Sequence, residues 1–168
     1  MRLDRSFYEQ DVLDVAPALI GKTLVHKTSD SEAHYHITEV EAYKGTEDLA
    51  SHARFGKTTR NAVMFDKGGL LYVYFIYGMY WMLNIVTGKK DDPQAVLIRG
   101  IEGFSGPGRV ARKIGVNKSY YGMDLVNSDS MWITDHGYYP AYRQTPRCGI
   151  SYASEPWKSM PWRYIMVP

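Results

Sequence analysis

The sequence predicts an α+β fold, because segments with strand patterning outnumber those with helical spacing. Short apolar or alternating runs bounded by turn residues predict strands at Thr23–His26, Tyr35–Tyr43, Leu70–Tyr77, Tyr80–Val86, Ala95–Ile101, Met131–Thr134 and Arg163–Val167. Apolar residues make up 45% of the 168 positions and charged residues 23%, as in ordinary globular proteins. No repeat, low-complexity tract or linker divides the sequence, so we expect residues 1–168 to form a single compact domain.

Two segments have helical patterning. Phe7–Ile20 carries apolar residues at helical spacing, but Pro17 interrupts it, so two short helical pieces are expected. The second helix, predicted over Arg109–Ile114, follows Gly106-Pro-Gly108 and ends at Gly115. Few helices and many strands are typical of an α+β domain.

The stretch between Lys67 and Lys89 contains no charged residue and is rich in tyrosine. Three structures are compatible with it: a membrane span, the central strands of a globular fold, or a strand that turns and presents aromatic side chains to a ligand. A single span with many tyrosines and glycines, and with basic residues at both ends, is a poor membrane helix. The pattern favours two strands, Leu70–Tyr77 and Tyr80–Val86, joined about Gly78.

Positive charge is concentrated in two segments, although the formal net charge is only +2. Ser51–Phe65 and Ser105–Tyr121 contain no acidic residue. The first lies largely in Gly45–Arg60, which is predicted as a long connection or a short helix from Glu47. Such segments form either a basic binding face or ordinary solvated surface. Their basic residues include Arg54, Lys57, Arg60, Arg109, Arg112 and Lys118.

Two glutamates lie within the strand predicted to end at Tyr43. Alternation places Ile37, Glu39, Glu41 and Tyr43 on one face of that strand. Glutamate is depleted in strands, and a buried carboxylate needs partners. The segment is therefore either a strand with one wet face or the site of a general base, with Tyr43 as one wall of a pocket.

Other kinds of site receive little support. Cys148 is the only cysteine, which excludes an intramolecular disulfide and any multi-cysteine metal site. His34 and His36 share a strand face without a third ligand at recognisable spacing, so no metal and no cofactor are expected. No serine or cysteine nucleophile signature is present, and no lysine is marked as a nucleophile, which favours water as nucleophile. The polar N-terminus predicts no secretion signal.

Several motifs in order along the chain resemble those of the alkyladenine (3-methyladenine, MPG-type) DNA glycosylases. They are Val40-Glu-Ala-Tyr43, Glu47-Asp-Leu-Ala-Ser-His52, Lys57-Thr-Thr-Arg-Asn61, Met64-Phe65, Leu71-Tyr-Val-Tyr-Phe-Ile-Tyr-Gly-Met-Tyr80, Asn84, Ala95-Val-Leu-Ile-Arg99, Gly106-Pro-Gly108, Val116-Asn-Lys-Ser119 and Pro146-Arg-Cys-Gly-Ile150. The resemblance implies a compact mixed body with a curved antiparallel sheet and a protruding β-hairpin, similar to the C-terminal domain of formyltransferases. It also implies a monofunctional glycosylase that excises alkylated or deaminated purines and initiates base excision repair.

The resemblance assigns a role to each candidate site residue. Glu41 would deprotonate the attacking water, and Arg99 would help to place both. The side chains of Tyr43, His52 and Tyr74 would line the pocket and sandwich the flipped base, since an enzyme that acts on a base must remove it from the stack.

Two further positions follow from the same resemblance. Tyr77 would enter the minor groove and fill the gap left by the flipped nucleotide, and Asn84 would reject the exocyclic amine of guanine. The basic segments would hold phosphates. The expected partner is double-stranded DNA containing damaged purines. The protein is expected to act as a monomer and not to associate with a membrane. The expected location is the cytoplasm, at a bacterial-type nucleoid, or the nucleus of a eukaryote.

The sequence departs from the family pattern at three places. Only Phe104-Ser105 connects Gly103 to Gly106, where many relatives have a longer excursion, and Val40 and Gly100 replace common threonine and alanine residues. A non-catalytic binder of damaged or single-stranded nucleic acid would share the aromatic and basic residues. It would gain nothing from Glu41 and Arg99, which favour an enzyme.

Overall fold

The computed structural model describes residues 1–168 and has the predicted α+β architecture. Its nine strands are β1 Thr23–Lys27, β2 Glu32–Lys44, β3 Leu71–Ile76, β4 Tyr80–Thr87, β5 Gln94–Ile101, β6 Phe104–Ser105, β7 Met131–Thr134, β8 Tyr142–Thr145 and β9 Arg163–Met166. Its helices are α1 Arg5–Tyr8, α2 Val12–Leu19 and α3 Pro107–Ile114, with single 3₁₀ turns at His52–Phe55, Ala62–Phe65, Lys118–Tyr120 and Trp157–Ser159.

All nine strands belong to one antiparallel sheet organised around β2. The antiparallel pairing agrees with the expected fold. The main path runs β3-β4-β5-β2-β1-β7, with β6 on β5 and the β8–β9 pair joined to β2. The first half of β2 pairs with β1, and its second half lies between β5 and β9. Glu41 therefore lies on a strand that has neighbours on both sides.

The sheet has one apolar face and one functional face, because successive side chains of a strand point to opposite sides. On the apolar face α2 and α3 pack in a cluster of 25 buried residues that includes Val40, Leu83 and Val96. Residues one position away face the other side, where Glu41 and Asn84 lie. The candidate site residues are thus carried by a sheet backed by the core.

The uncharged stretch forms the hairpin β3–β4, which confirms the prediction of two strands about Gly78. Cα pairs run from Leu71 opposite Ile85 to Ile76 opposite Tyr80, which leaves a three-residue loop. Tyr77 and Gly78 in that loop both have left-handed backbone, with φ of 56° and 65°. No helix of the structure has the length and apolar character needed to cross a membrane.

The prediction that Ile37 shares a face of β2 with Glu41 was wrong. The β2–β5 register shifts between Ile37 and Glu39 and again between Glu39 and Val40. Ile37 consequently joins Val40 in the main core, opposite Glu41. A bulge breaks strict alternation, so residues on either side of it do not follow a period of two.

The N-terminal segment forms two short helices as predicted, but the break lies at Asp11 rather than Pro17. Asp11 accepts a hydrogen bond from the backbone N–H of Leu13 and begins α2. Pro17 lies inside α2, which ends two residues later at Leu19. The N-cap and the buried face of α2 therefore outweigh the loss of one N–H donor at the proline.

The structure decides between the two alternatives for Gly45–Arg60 and adds one strand that was not predicted. The segment Gly45–Arg60 is a long connection without a helix from Glu47; it forms turns and one 3₁₀ turn at His52–Phe55. Strand β8, Tyr142–Thr145, was not predicted and pairs only with β9. It is an exposed edge strand, so its sequence lacks the apolar pattern of a half-buried strand.

Candidate active site

A cavity of about 820 Å³ opens on the functional face of the sheet. It brings together the seven residues to which catalysis, base binding or intercalation was assigned, namely Glu41, Tyr43, His52, Tyr74, Tyr77, Asn84 and Arg99. Two of the six candidate phosphate-binding residues, Arg54 and Arg60, also line it. The other four, Lys57, Arg109, Arg112 and Lys118, lie outside the cavity.

Glu41 is the one carboxylate that lines the cavity, and it is fully buried. Its Oε1 accepts a hydrogen bond from the Tyr43 hydroxyl at 2.8 Å, and its Oε2 accepts one from the backbone N–H of Cys148 at 2.6 Å. Arg99 Nη1 lies 3.7 Å from Oε1. Burial raises the pKa of Glu41, while the Arg99 charge and the two hydrogen bonds oppose that rise. The carboxylate is therefore held in a fixed orientation, with a raised pKa.

Arg99 is held in place by a second carboxylate that sequence reasoning did not assign. Oε2 of Glu39 accepts hydrogen bonds from Arg99 Nε at 3.0 Å and from Arg163 Nε at 2.8 Å. Arg99 lies at the register shift between β2 and β5, which turns it toward both glutamates. Glu39 thus orients Arg99 from one side while Glu41 engages it from the other.

An aromatic wall stands beside Glu41. The ring centroids of His52 and Tyr74 are 4.4 Å apart, and Tyr72 contacts both rings. His52 Nδ1 lies 2.8 Å from the Tyr72 hydroxyl, a hydrogen bond that fixes the imidazole. Burial and the charges of Arg60 and Arg54 lower the pKa of His52 to about 4, so the wall is uncharged at neutral pH.

Asn84 is a nearly buried amide on β4, one strand away from Tyr74. Its Nδ2 donates to the backbone carbonyl of Tyr72 at 3.2 Å, and the residue lies opposite Leu97 of β5. Backbone pairing on both sides fixes strand β4, and the hydrogen bond to the Tyr72 carbonyl restrains the amide. A group that entered the cavity would meet it as a fixed wall.

Tyr77 projects from the tip of the β3–β4 hairpin at the edge of the cavity. Its exposed fraction is 81%, and its neighbour Met79 is also exposed. The left-handed φ of Tyr77 is uncommon for a residue with a large side chain and is held by a loop of only three residues. The ring is therefore presented to solvent and not packed in the core.

A buried ion pair that the sequence did not reveal lies next to Tyr43 and Cys148 and supports this site. Arg147 Nη1 and Nη2 bind the two oxygens of Asp48 at 2.6 and 3.0 Å, and both side chains are fully buried. The Arg147 guanidinium also lies 4.9 Å from the ring centroid of Tyr43. It precedes Cys148, whose N–H binds Glu41. The only sequence signals for this pair were the two motifs that contain its members, residues 47–52 and 146–150.

The two candidate phosphate-binding arginines at the cavity have defined partners. Arg60 lies 5.0 Å from the ring centroid of Tyr74, and its Nη2 donates to the backbone carbonyl of Phe75 at 3.2 Å. Arg54 Nη1 donates to the carbonyl of Ser51 at 3.0 Å. No group of three or more His, Cys, Asp or Glu side chains is placed to hold a metal ion.

Comparison with known proteins places the chain in one family. It matches the methylpurine-DNA glycosylase family over residues 6–105 and 103–167. A relative from Anaeromyxobacter sp. (strain Fw109-5), provisionally named 3-methyladenine DNA glycosylase, is 39% identical over 178 aligned positions that cover 99% of this chain and 89% of the relative. Relatives with the same provisional name from Sodalis glossinidius and from Wolbachia pipientis of Culex pipiens are each 43% identical, and cover 91% and 96% of this chain and 92% and 88% of their own length.

These matches extend over nearly the whole chain and agree with the motifs around the cavity. Matches of this identity and coverage are sufficient to assign the family. The chain belongs to the methylpurine-DNA glycosylase family.

Proposed function

We propose that this protein is a monofunctional DNA glycosylase that removes alkylated or deaminated purines from duplex DNA and so initiates base excision repair. 3-Methyladenine, which the names of the relatives mention, is the first substrate to test. The protein would act as a monomer on double-stranded DNA, without a covalent intermediate. The observation that carries the proposal is the buried Glu41 carboxylate beside an aromatic cavity large enough for a purine.

Glu41 would act as general base on a water molecule. The water oxygen attacks C1′ of the flipped nucleotide, its proton passes to the carboxylate, and the electrons of the glycosidic bond leave with the purine. An N-alkylated purine is already cationic and leaves as a neutral base, whereas hypoxanthine needs a proton as it leaves. Burial increases the basicity of Glu41, and the Arg99 charge keeps its ionised form accessible.

The aromatic residues would supply the binding energy for the flipped base. Removing a base from the stack costs a few kcal/mol, and stacking on aromatic side chains returns about 1–3 kcal/mol per base. The flipped base would stack between the adjacent rings of His52 and Tyr74 on one side and the ring of Tyr43 on the other. A neutral His52 also avoids repulsion of a cationic purine, which the tyrosine rings would attract.

Other residues would open the duplex, reject guanine and bind phosphates. The exposed Tyr77 ring at the hairpin tip suits a wedge that enters the minor groove and replaces the flipped nucleotide. The fixed Asn84 amide would clash with the exocyclic amine of guanine. The six basic residues Arg54, Lys57, Arg60, Arg109, Arg112 and Lys118 would bind phosphates and make the affinity salt-dependent.

A binder without catalytic activity would share the cavity, the aromatic wall and the basic residues. Glu41 favours the enzyme, because a buried carboxylate costs desolvation free energy and repels phosphates. A protein that only bound DNA would gain nothing from keeping that charge beside the base.

The test is base release under single-turnover conditions. Duplexes carrying one hypoxanthine, and DNA treated with a methylating agent, are incubated with excess protein, and free base and alkali-labile sites are measured. We expect both products from the wild type. The variant Glu41→Gln preserves side-chain size and should bind the duplex but release almost no base. Absence of products with the wild type would refute the glycosylase, and an unchanged rate in the variant would remove Glu41 from its role.

A further inference from the structure

The rim of the cavity carries two exposed aromatic rings that have no part in the reaction described above. Phe55 is 80% exposed and Tyr152 is 57% exposed, and both line the cavity. The guanidinium carbon of Arg54 lies 4.4 Å from the ring centroid of Phe55 and 4.9 Å from that of Tyr152. We call these three residues the rim cluster.

Hydrogen bonds hold Tyr152 and the backbone of the loop that carries Phe55, although both rings are exposed. The Tyr152 hydroxyl donates to the carbonyl of Ala50 at 2.8 Å. Nδ2 of the buried Asn61 donates to the carbonyls of His52 and Gly56, which flank the loop that carries the exposed phenyl ring. A loop whose backbone is fixed by internal hydrogen bonds limits where the ring can lie and so lowers the cost of ordering it on binding.

The surroundings of the rim cluster suit a phosphate-bearing strand. A single exposed apolar side chain is common on protein surfaces and needs no explanation. Here the exposed phenyl ring adjoins Arg54, and Arg60 lines the same cavity. The segment Ser51–Phe65 contains no acidic residue. Open aromatic faces interleaved with arginines are typical of surfaces that bind unpaired nucleotides by stacking and charge.

The rim is also tied to the hairpin that carries Tyr77. Arg60, in the same acid-free segment as Phe55, donates to the backbone carbonyl of Phe75 on β3. The rim cluster and the hairpin tip therefore have a fixed relation across the mouth of the cavity. A flipped nucleotide would enter between them, and its two covalently attached neighbours would cross the rim. The opposite DNA strand is not covalently linked to the flipped nucleotide, so nothing holds it at the rim.

We propose that Phe55 stacks on the nucleotide adjacent to the flipped one in the damaged strand, while Arg54 binds the phosphate between them. This contact would hold the damaged strand open at the rim, separately from insertion of Tyr77 into the duplex. It rests on the proposed function for the identity of the DNA, but it concerns a surface outside the pocket for the base.

Affinity for a duplex that cannot be cleaved tests the contact without any turnover. The probe is a fluorescent duplex with one tetrahydrofuran abasic analogue. Phe55→Ala should weaken binding about tenfold, since one base–aromatic stack is lost. Phe55→Trp should retain the affinity of the wild type, because it keeps a stacking face. Equal affinity of the wild type and Phe55→Ala would overturn the proposal.

Tyr139→Ala is the matched control. Tyr139 is 73% exposed and has Lys22 at 5.1 Å from its ring, so it shares the exposure and the cation contact of Phe55. It does not line the cavity. Its replacement should leave the affinity unchanged, and a loss equal to that of Phe55→Ala would show a general surface effect and overturn the proposal.

The strand assignment is tested with 2-aminopurine placed beside the abasic analogue. Wild-type protein should quench a probe in the damaged strand by stacking, and Phe55→Ala should restore its fluorescence. A response only from a probe in the opposite strand would overturn the assignment. If the wild type releases base but Phe55→Ala has unchanged affinity, this contact alone is refuted. If Phe55→Ala loses affinity but the wild type releases no base, only the glycosylase is refuted.

Discussion

Tyr43 donates its hydroxyl hydrogen to Oε1 of Glu41 over 2.8 Å, and the two residues lie on the same face of β2. The second carboxylate oxygen is bound by the N–H of Cys148. The proposed base is therefore restrained by one neighbour of its own strand and one residue far along the chain. Its basicity depends on both contacts.

Replacing Tyr43 by phenylalanine should move the acid limb of the pH–rate profile to higher pH. The Tyr43 hydrogen bond lowers the pKa of Glu41, in opposition to burial, so its removal raises that pKa further. Activity needs the ionised carboxylate, and a higher pH would be required to reach it. Single-turnover rates across pH measure the shift. Tyr142→Phe, which lies outside the cavity, is the control, and an acid limb displaced to lower pH would contradict the account.

Glu39→Gln should slow base release while leaving DNA affinity nearly intact. The carboxylate of Glu39 positions Arg99 through a charged hydrogen bond, and such bonds contribute about 1.5–3 kcal/mol, equivalent to a rate loss of tenfold or more. Rates and dissociation constants measured separately would distinguish positioning from binding. Arg163→Gln removes the other partner of Glu39 and should have a smaller effect. Equal losses in both variants would indicate a structural role for the whole network.

Asp48→Ala should destabilise the fold by about 3–5 kcal/mol, because it leaves the buried Arg147 charge without its partner. Urea unfolding followed by tryptophan fluorescence measures the change. The half-exposed pair of Lys44 and Asp11 provides the comparison, and Lys44→Ala should cost no more than about 1 kcal/mol. Similar values for the two variants would show that Arg147 gains water or another partner.

Tyr77→Ala should slow base release from a fully paired duplex more than from a duplex in which the damaged base is mismatched. A wedge stabilises the gap after flipping, and that gap is less costly to form where pairing is already weak. The measurement is the single-turnover rate on the two substrates. Equal slowing of both would mean that the exposed ring acts in another way than as a wedge.

Asn84→Ser should admit undamaged guanine to the cavity. The shorter side chain removes the amide that the Tyr72 carbonyl fixes in the wall, and leaves room for the exocyclic amine. Release of guanine from undamaged duplex DNA, measured against release of hypoxanthine, tests the change. If guanine remains excluded while hypoxanthine is still released, discrimination lies with another residue.

Local sequence patterns were sufficient for most strands and for the hairpin. The tyrosine-rich stretch predicted β3 and β4 because its lack of charge and its central glycine are local properties. The same reasoning failed at Ile37, where a bulge reverses the alternation, and at Asp11, where a side-chain cap begins the helix before Pro17. Bulges and caps depend on partners that a period of two or 3.6 residues does not contain.

The amino-acid sequence alone is enough to predict the α+β class, most strands along the chain and, through the motifs, the family and seven candidate residues that the structure places at the cavity. Only the tertiary structure decides how those residues are held. It places Cys148 on Glu41, Glu39 between Arg99 and Arg163, and Arg147 against Asp48. The reason is that these contacts join segments about a hundred residues apart or on different strands, and the shape of the sheet rather than any local pattern determines which side chains meet.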